Sequence, residues 1–356
     1  VLDPRWSAAR RLIVARLDNA GDVLLCGPAL RAIRRALPAC HITLWASPGG
    51  APVASLLPDV DDVLVSRALW QDLGHLPFDP ERERDLVQQL AEGQYDGAIL
   101  FTSFRQSPHP AAYACYLAGI PLRAGQSREF AGGVLSEVVT PLPDEAHQVE
   151  RNLHLVESLG FTADSTRLAV TIPPAARDSL GLKLRLKGIG FGRPFVVLHP
   201  GASCAARRYP LDRFAEVGQR LLAMQSGPLV ITGTERDRPL AERLTREIGA
   251  GAISLAGETD LPEFAALVER ATAVLTNNTL TMHLADAVGT PQVVLFAGTE
   301  LASQWRPRNA PARLLQRPTD CSPCYGFDCP FGLACLDVAP ADVVAALVDL
   351  VGVCVP

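Results

Sequence analysis

No apolar run in this 356-residue chain approaches the roughly 18–20 residues that span a bilayer. The start, Val1 to Arg11, carries Asp3, Arg5, Arg10 and Arg11 and lacks the apolar stretch of a secretory signal, so a cytoplasmic protein is expected. Excess positive charge is missing too. With 33 Lys and Arg against 38 Asp and Glu, the formal charge is −5. No nucleic-acid partner is expected, because neutralising phosphates needs clustered cations. There is no repeat of solenoid period and no low-complexity tract. No Gly-Lys-Ser/Thr completes a Walker loop and no Gly-x-Gly-x-x-Gly occurs. Nucleotide chemistry, if present, has to rest on other loops.

The chain is too long for one comfortable core, and 48% hydrophobic residues allow about two domains. Short apolar runs predict buried parallel strands at Leu12–Leu17, Ile42–Ala46, Asp62–Val65, Gly97–Phe101, Phe195–His199, Leu229–Thr232, Ala252–Leu255, Ala273–Thr276 and Gln292–Phe296. Helical spacing appears in Val23–Leu37, Arg82–Glu92, Gln148–Leu159, Leu211–Met224, Pro239–Ile248, Leu261–Arg270, Met282–Val288 and Ala341–Val351. Alternation of this kind predicts an α/β fold of two Rossmann-like, doubly wound domains facing across a cleft. The alternation falters between Ile172 and Pro194, a stretch with Pro173, Pro174 and four glycines. It is read as a linker, residues 173–193, between an N-terminal Rossmann-like domain over 1–172 and a C-terminal one over 194–356. The last helix, 341–351, is expected to pack back on the first domain.

Four places look chemical. In the first loop, Asp18-Asn-Ala-Gly-Asp22, Gly21 permits close approach or positive φ. Asp22 then stands near a helix start, either as a cap or as a general base. After the strand ending at His199, small residues Gly201, Ala202 and Ser203 leave backbone N–H groups open to an anion, with Arg207 and Arg208 available to pair with phosphate. Two surface arginines in a solvated loop are the plain alternative. Thr232 ends a third strand, and Glu235 beyond it either accepts from a ribose or favours the next helix start. Finally Thr276-Asn-Asn-Thr-Leu-Thr-Met-His283 joins a strand to a helix whose N-terminus suits a pyrophosphate. Asn278 and Thr279 stand there, and His283 is either a phosphate donor or a packed core residue. The Phe296–Glu300 loop is a further strand end. No Asp-x-Asp motif for a divalent cation is expected.

The runs Arg16-Leu-Asp-Asn-Ala-Gly-Asp-Val-Leu-Leu, His199-Pro-Gly-Ala-Ser through Arg207-Arg-Tyr-Pro, and Thr276-Asn-Asn-Thr-Leu-Thr-Met-His with Gly289-Thr-Pro together resemble the ADP-heptose:lipopolysaccharide heptosyltransferase family, glycosyltransferase family nine, over essentially the whole chain. The resemblance implies a GT-B fold and an inverting, metal-independent transfer from a nucleotide-diphosphate heptose, usually ADP-linked, to a carbohydrate-containing acceptor, with peripheral contact at the inner membrane face. It implies Asp22 as base, in a loop with Asn19 and Gly21. It implies Ser203, Arg207, Thr232, Glu235, Asn278, Thr279 and His283 as donor-binding residues, and no cofactor for catalysis. Arg207 replaces a usual Lys, Asn278 a usual Asp, Leu280 a usual Gly and Tyr209 a usual Trp. Two rival functions share the architecture. A nucleotide-sugar epimerase would need further carboxylates for proton transfer, and a non-catalytic nucleotide-sugar binder would show no turnover.

Of nine cysteines, Cys26, Cys40, Cys115, Cys204 and Cys354 read as small core residues. Cys321-x₂-Cys324-x₄-Cys329-x₅-Cys335 suggests a closed four-sulfur site for one structural zinc or iron, against the alternatives of two disulfides or four free thiols.

Overall fold

The computed structural model describes residues 2–351 apart from 73, 131 and 226; Val1 and Cys354 lie outside the described residues. The chain divides between Ala169 and Val170 into two compact units.

The first unit holds β1 (Arg11–Arg16), β2 (His41–Ala46), β3 (Asp62–Val65), β4 (Gly97–Leu100), β5 (Leu122–Gln126) and β6 (Glu137–Val139), with α1 (Pro4–Ser7), α2 (Ala20–Leu24), α3 (Gly27–Ala36), α4 (Pro80–Glu92), α5 (His109–Leu117) and α6 (Gln148–Ser158). The strands lie in the order β3-β2-β1-β4-β5-β6, every neighbouring pair parallel. Leu12 of β1 sits opposite Ile42 on one side and Gly97 on the other. Gly97 has to be glycine because a Cβ there would meet the ring of buried Trp6 at 2.7 Å. The expected helix Val23–Leu37 is two helices, since Pro28 opens a new first turn in α3.

The second unit opens with α7 (Pro174–Leu186). It continues with β7 (Val196–His199), α8 (Leu211–Ala223), β8 (Leu229–Ile231), α9 (Arg238–Ile248), β9 (Ala252–Ser254), α10 (Leu261–Arg270), β10 (Ala273–Asn277), α11 (Leu280–Val288), β11 (Gln292–Leu295), α12 (Ala302–Trp305), β12 (Ala312–Leu315) and α13 (Pro340–Val351). Its order, β12-β11-β10-β7-β8-β9, is again wholly parallel. Numbered within its own unit, each sheet runs 3-2-1-4-5-6, the doubly wound order of dinucleotide-binding folds. The expected α/β class and doubly wound units are what the chain forms. Among the described residues no helix is long and apolar enough to cross a membrane.

One segment is more structured than its sequence reading. Residues 173–193, read as a linker, carry α7, whose Ala176, Leu180 and Leu184 are buried at helical spacing and which packs on α10. Proline at its first position is compatible with a helix start, which is why two prolines did not prevent one. Arg177 forks onto Glu269 with two 2.8 Å bonds, and Ser179 and Lys183 both reach buried Glu263 at 2.6 Å. The last helix, α13, packs against α8 and against β10, β11 and β12 of its own unit.

Leu180 is fully buried. Replacing it with Ala is expected to cost about 2–5 kcal/mol and to lower the urea midpoint of the second unit. A loss below about 0.5 kcal/mol, the size of a surface change, would return this segment to the status of a linker.

Candidate active site

In a doubly wound sheet the loops after the first and fourth strands leave toward opposite faces, opening a crevice at their carboxyl ends. In the first unit those loops follow β1 and β4. Arg16 closes β1 inside an otherwise apolar run and is fully buried, so its cation must be paired. Its Nη2 donates to Asp22 Oδ1 at 2.9 Å and to Ser103 Oγ at 2.8 Å, and its Nε faces Asp18 Oδ2 at 2.9 Å. Asp18 Oδ1 accepts from the Gln106 amide, and Gln106 Oε1 accepts from the Ser103 N–H. Burial, reinforced by the charge of Asp22, pushes the Asp18 carboxyl above its ordinary range, although Arg16 pulls it the other way.

Asp22 sits in α2 and is part-exposed; its Oδ2 accepts from the Asn19 N–H at 3.2 Å. It therefore caps its own helix turn and still presents a carboxylate at the crevice. Gly21 lies inside α2 and is absent from the positive-φ positions, so a left-handed backbone is not what it supplies. Arg16, Ser103 and Gln106 were not singled out from sequence. A lone Arg ending a buried apolar strand was the available signal.

In the second unit the equivalent loops follow β7 and β10, and Asn277 stitches them together. This fully buried side chain donates to Pro200 O at 2.9 Å and Gly201 O at 3.2 Å, and accepts from the Tyr209 N–H. Tyr209 in turn donates its hydroxyl to Val338 O at 2.7 Å. Arg207 is aimed across to the loop after β11, giving Nη2 to Glu300 at 2.6 Å and Nε to Thr299 Oγ1 at 3.1 Å. Arg208 instead folds back on Ala202 O, and Ser203 is exposed.

At the start of α11 Thr279 makes no side-chain cap, so first-turn N–H groups stay available. Asn278 is buried, its Oδ1 accepting from Ala297 N, while its Nδ2 finds no hydrogen-bond partner among the described residues. A partnerless buried amide beside an uncapped helix start suits an anion. His283 is buried, and burial pushes its imidazole down to about 4; a neutral ring can donate one N–H but carries no charge near pH 7.

Two expected donor residues belong to the chain just after β8, where Asp237 lies 3.2 Å from the place a Cβ on Gly201 would take. Thr232 is buried with its hydroxyl 2.9 Å from His199 Nδ1. Glu235 is exposed and held by Arg238, which keeps its carboxyl below the usual range. The chain's literal Asp-x-Asp, Asp59-Val60-Asp61, is structural: Asp61 accepts from Arg34 and from the Ile42 N–H at 2.8 Å.

The structural metal expected at the cysteine cluster finds no support. All eight described cysteines are free thiols, and among the described residues no group of three or more His, Cys, Asp or Glu is arranged to hold an ion. Cys335 is buried against Gly298 while Cys321 and Cys324 are exposed. Burial pushes the Cys335 thiol up, and the neighbouring Cys329, Cys321 and Cys324 add to it. The segment does something else. Cys324 N donates to Gly298 O, Tyr325 N to Thr299 O, and Ala206 N to Phe327 O, at 3.1, 2.9 and 2.9 Å. It ties the Thr299 loop to the Arg207 loop through backbone. Cys26, Cys40 and Cys115 are buried as expected; Cys204 is part-exposed.

Comparison with known proteins bears on the fold and the family. Lipopolysaccharide heptosyltransferase 2 of Escherichia coli K12 is 28% identical over 298 residues, covering 80% of this chain and 82% of that protein. The solved structure of the E. coli ADP-heptose lipopolysaccharide heptosyltransferase II superposes with a TM-score of 0.74 at 23% identity, covering 96% and 98% of the two chains. A family 9 glycosyltransferase from Veillonella parvula superposes at 0.78 and 20% identity, covering 96% and 97%. The family model described as glycosyltransferase family 9 (heptosyltransferase) matches residues 83–334, a span that includes every second-unit loop above and begins after Asp22. The chain is a glycosyltransferase and belongs to glycosyltransferase family 9.

Proposed function

We propose that this enzyme transfers a heptose from ADP-heptose to a hydroxyl of a lipopolysaccharide-core acceptor, with inversion and without a catalytic metal. The observation that carries the reading is the split of charge between the two crevices. One presents a carboxylate, Asp22, whose oxygens are held by Arg16 and by the Asn19 N–H. The other gathers Arg207, an uncapped helix N-terminus and the buried amide of Asn278. Asp22 takes the proton of the acceptor hydroxyl as its oxygen attacks the anomeric carbon. The carbon–oxygen bond to the diphosphate breaks, and the leaving charge is met by Arg207 and the first-turn N–H groups of α11. Asn278 donates through Nδ2, a contact a neutral amide can make to phosphate or sugar. Ser203, Thr279 and His283 line the same donor reading. Thr232 supports His199, and Glu235 would have to leave Arg238 to accept from a ribose.

Asp22→Asn is expected to lower kcat by about 10²–10⁴ while ADP affinity stays within about twofold. The check is ADP release from ADP-heptose with a heptose-deficient core acceptor, alongside ADP calorimetry. Wild-type turnover would make Asp22 a helix cap only.

Arg207→Ala is expected to weaken ADP about 10–100-fold and adenosine less than about twofold, as loss of a charge-assisted phosphate contact requires. Equal weakening of the two ligands, measured by calorimetry, would remove Arg207 from the diphosphate.

A further inference from the structure

We infer that Arg16 is the positioning residue of the reaction: it holds Asp22 in the one orientation that can take the acceptor proton. The inference rests on Asp22 being the base.

Asp22 by itself is weakly fixed. It belongs to a five-residue helix, and among the described residues its other side-chain restraint is the 3.2 Å bond from the Asn19 N–H to Oδ2. Arg16 is the opposite case. Its guanidinium has no exposed surface, and two loops hold it, through hydrogen bonds from Nη2 and an ion pair at Nε. Ser103, on the loop after β4, accepts from the same Nη2 that serves Asp22. Asp18, on the loop after β1, faces Nε and is itself held by Gln106 from the β4 loop. Ser47, after β2, donates to the Asp18 carbonyl at 2.6 Å. Rotation of the guanidinium would break contacts with two loops at once. Asp22 thus inherits the rigidity of the sheet end through one 2.9 Å bond.

The choice of arginine follows from this geometry. Two carboxylates, Asp18 and Asp22, must be met by one cation from different edges. A planar fork does this with Nε toward one and Nη2 toward the other, whereas an ammonium offers a single point. One positive charge also compensates two neighbouring acids in a crevice with little water, where repulsion would otherwise drive them apart. A merely structural brace between β1 and β4 would need Ser103 and Asp18 but would have no reason to engage Asp22.

The experiment is a double-mutant cycle of Arg16→Lys with Asp22→Asn, read as kcat, donor KM and ADP affinity, with ADP-heptose and a heptose-deficient lipopolysaccharide core. Arg16→Lys alone is expected to lower kcat about 10–100-fold, the scale of a misplaced catalytic group, with donor KM and ADP affinity within about twofold. In the Asp22→Asn background the same change is expected to lower the residual rate less than about twofold, because the group being positioned is gone. Should Arg16→Lys fail to fold, Asp18→Asn takes its place in the cycle, with a severalfold loss of kcat and the same coupling expected. An inactive Asp22→Asn combined with an additive second change, or a raised KM at unchanged kcat, overturns the positioning role and leaves the base reading standing. Wild-type turnover in Asp22→Asn overturns the base reading, and the inference with it.

Discussion

When every strand of a sheet runs the same way, every connection has to cross a face, and all strand-to-helix loops emerge at one edge. The order 3-2-1-4-5-6 adds a reversal beside the first strand, so the neighbouring loops after the first and fourth strands part and leave a gap. This chain builds that gap twice. The first unit fills it with Arg16–Asp22 and Ser103–Gln106, the second with His199–Pro210 and Asn277–Thr279. The placement follows from backbone direction alone, before any side chain is chosen.

What differs between the gaps is the sign of the charge they present. In the first, one buried guanidinium stands between two carboxylates, and the local balance is negative. In the second, Arg207 and the start of α11 favour an anion, and Arg207 is already extended toward Glu300 and Thr299. A diphosphate entering there meets a side chain whose rotamer is set, so less freedom is lost on binding than if Arg207 were loose. Glu300 must then share Arg207 or give it up, which makes it the natural counterweight against binding any weak anion.

Much of this was legible in the sequence, and the rest was not for local reasons. Strands with continuous apolar residues, such as Phe195–His199 and Ala273–Thr276, stood out because both their faces are covered. β5 did not, because its five residues include Arg123, whose guanidinium turns aside to the carbonyls of Ile120, Pro121, Gly133 and Val134. β6 and β12 were not read as strands either; each is a short run that carries a charged residue, Glu137 or Arg313. α5, with its Ala-Ala-Tyr-Ala-Cys run, lacks an amphipathic rhythm. Asp22, Arg207 and Asn278 were legible as loop residues. Their partners were not, because Ser103 lies 87 residues from Arg16 and Glu300 lies 93 from Arg207, and no spacing rule reaches that far. The cysteine spacing misled for a related reason. Spacing proposes that four thiols can meet, and Cys321, Cys324 and Cys329 do lie near enough to Cys335 to act on its thiol, but no ion-holding group forms among the described residues.

The strap formed by residues 321–335 holds the Thr299 and Arg207 loops through main-chain hydrogen bonds: the amides of Cys324, Tyr325 and Ala206 donate to the carbonyls of Gly298, Thr299 and Phe327. A clasp made of peptide groups is indifferent to most of the side chains along it. Evolution can therefore rewrite this strap, losing or gaining sulfur and changing what it shows to solvent, while the grip on the two loops persists. The feature that looks most like a signature in the sequence is the one whose side chains are freest to drift. What selection has to preserve there is the path of the chain, above all the bare Gly298 against which Cys335 and Ser322 lie.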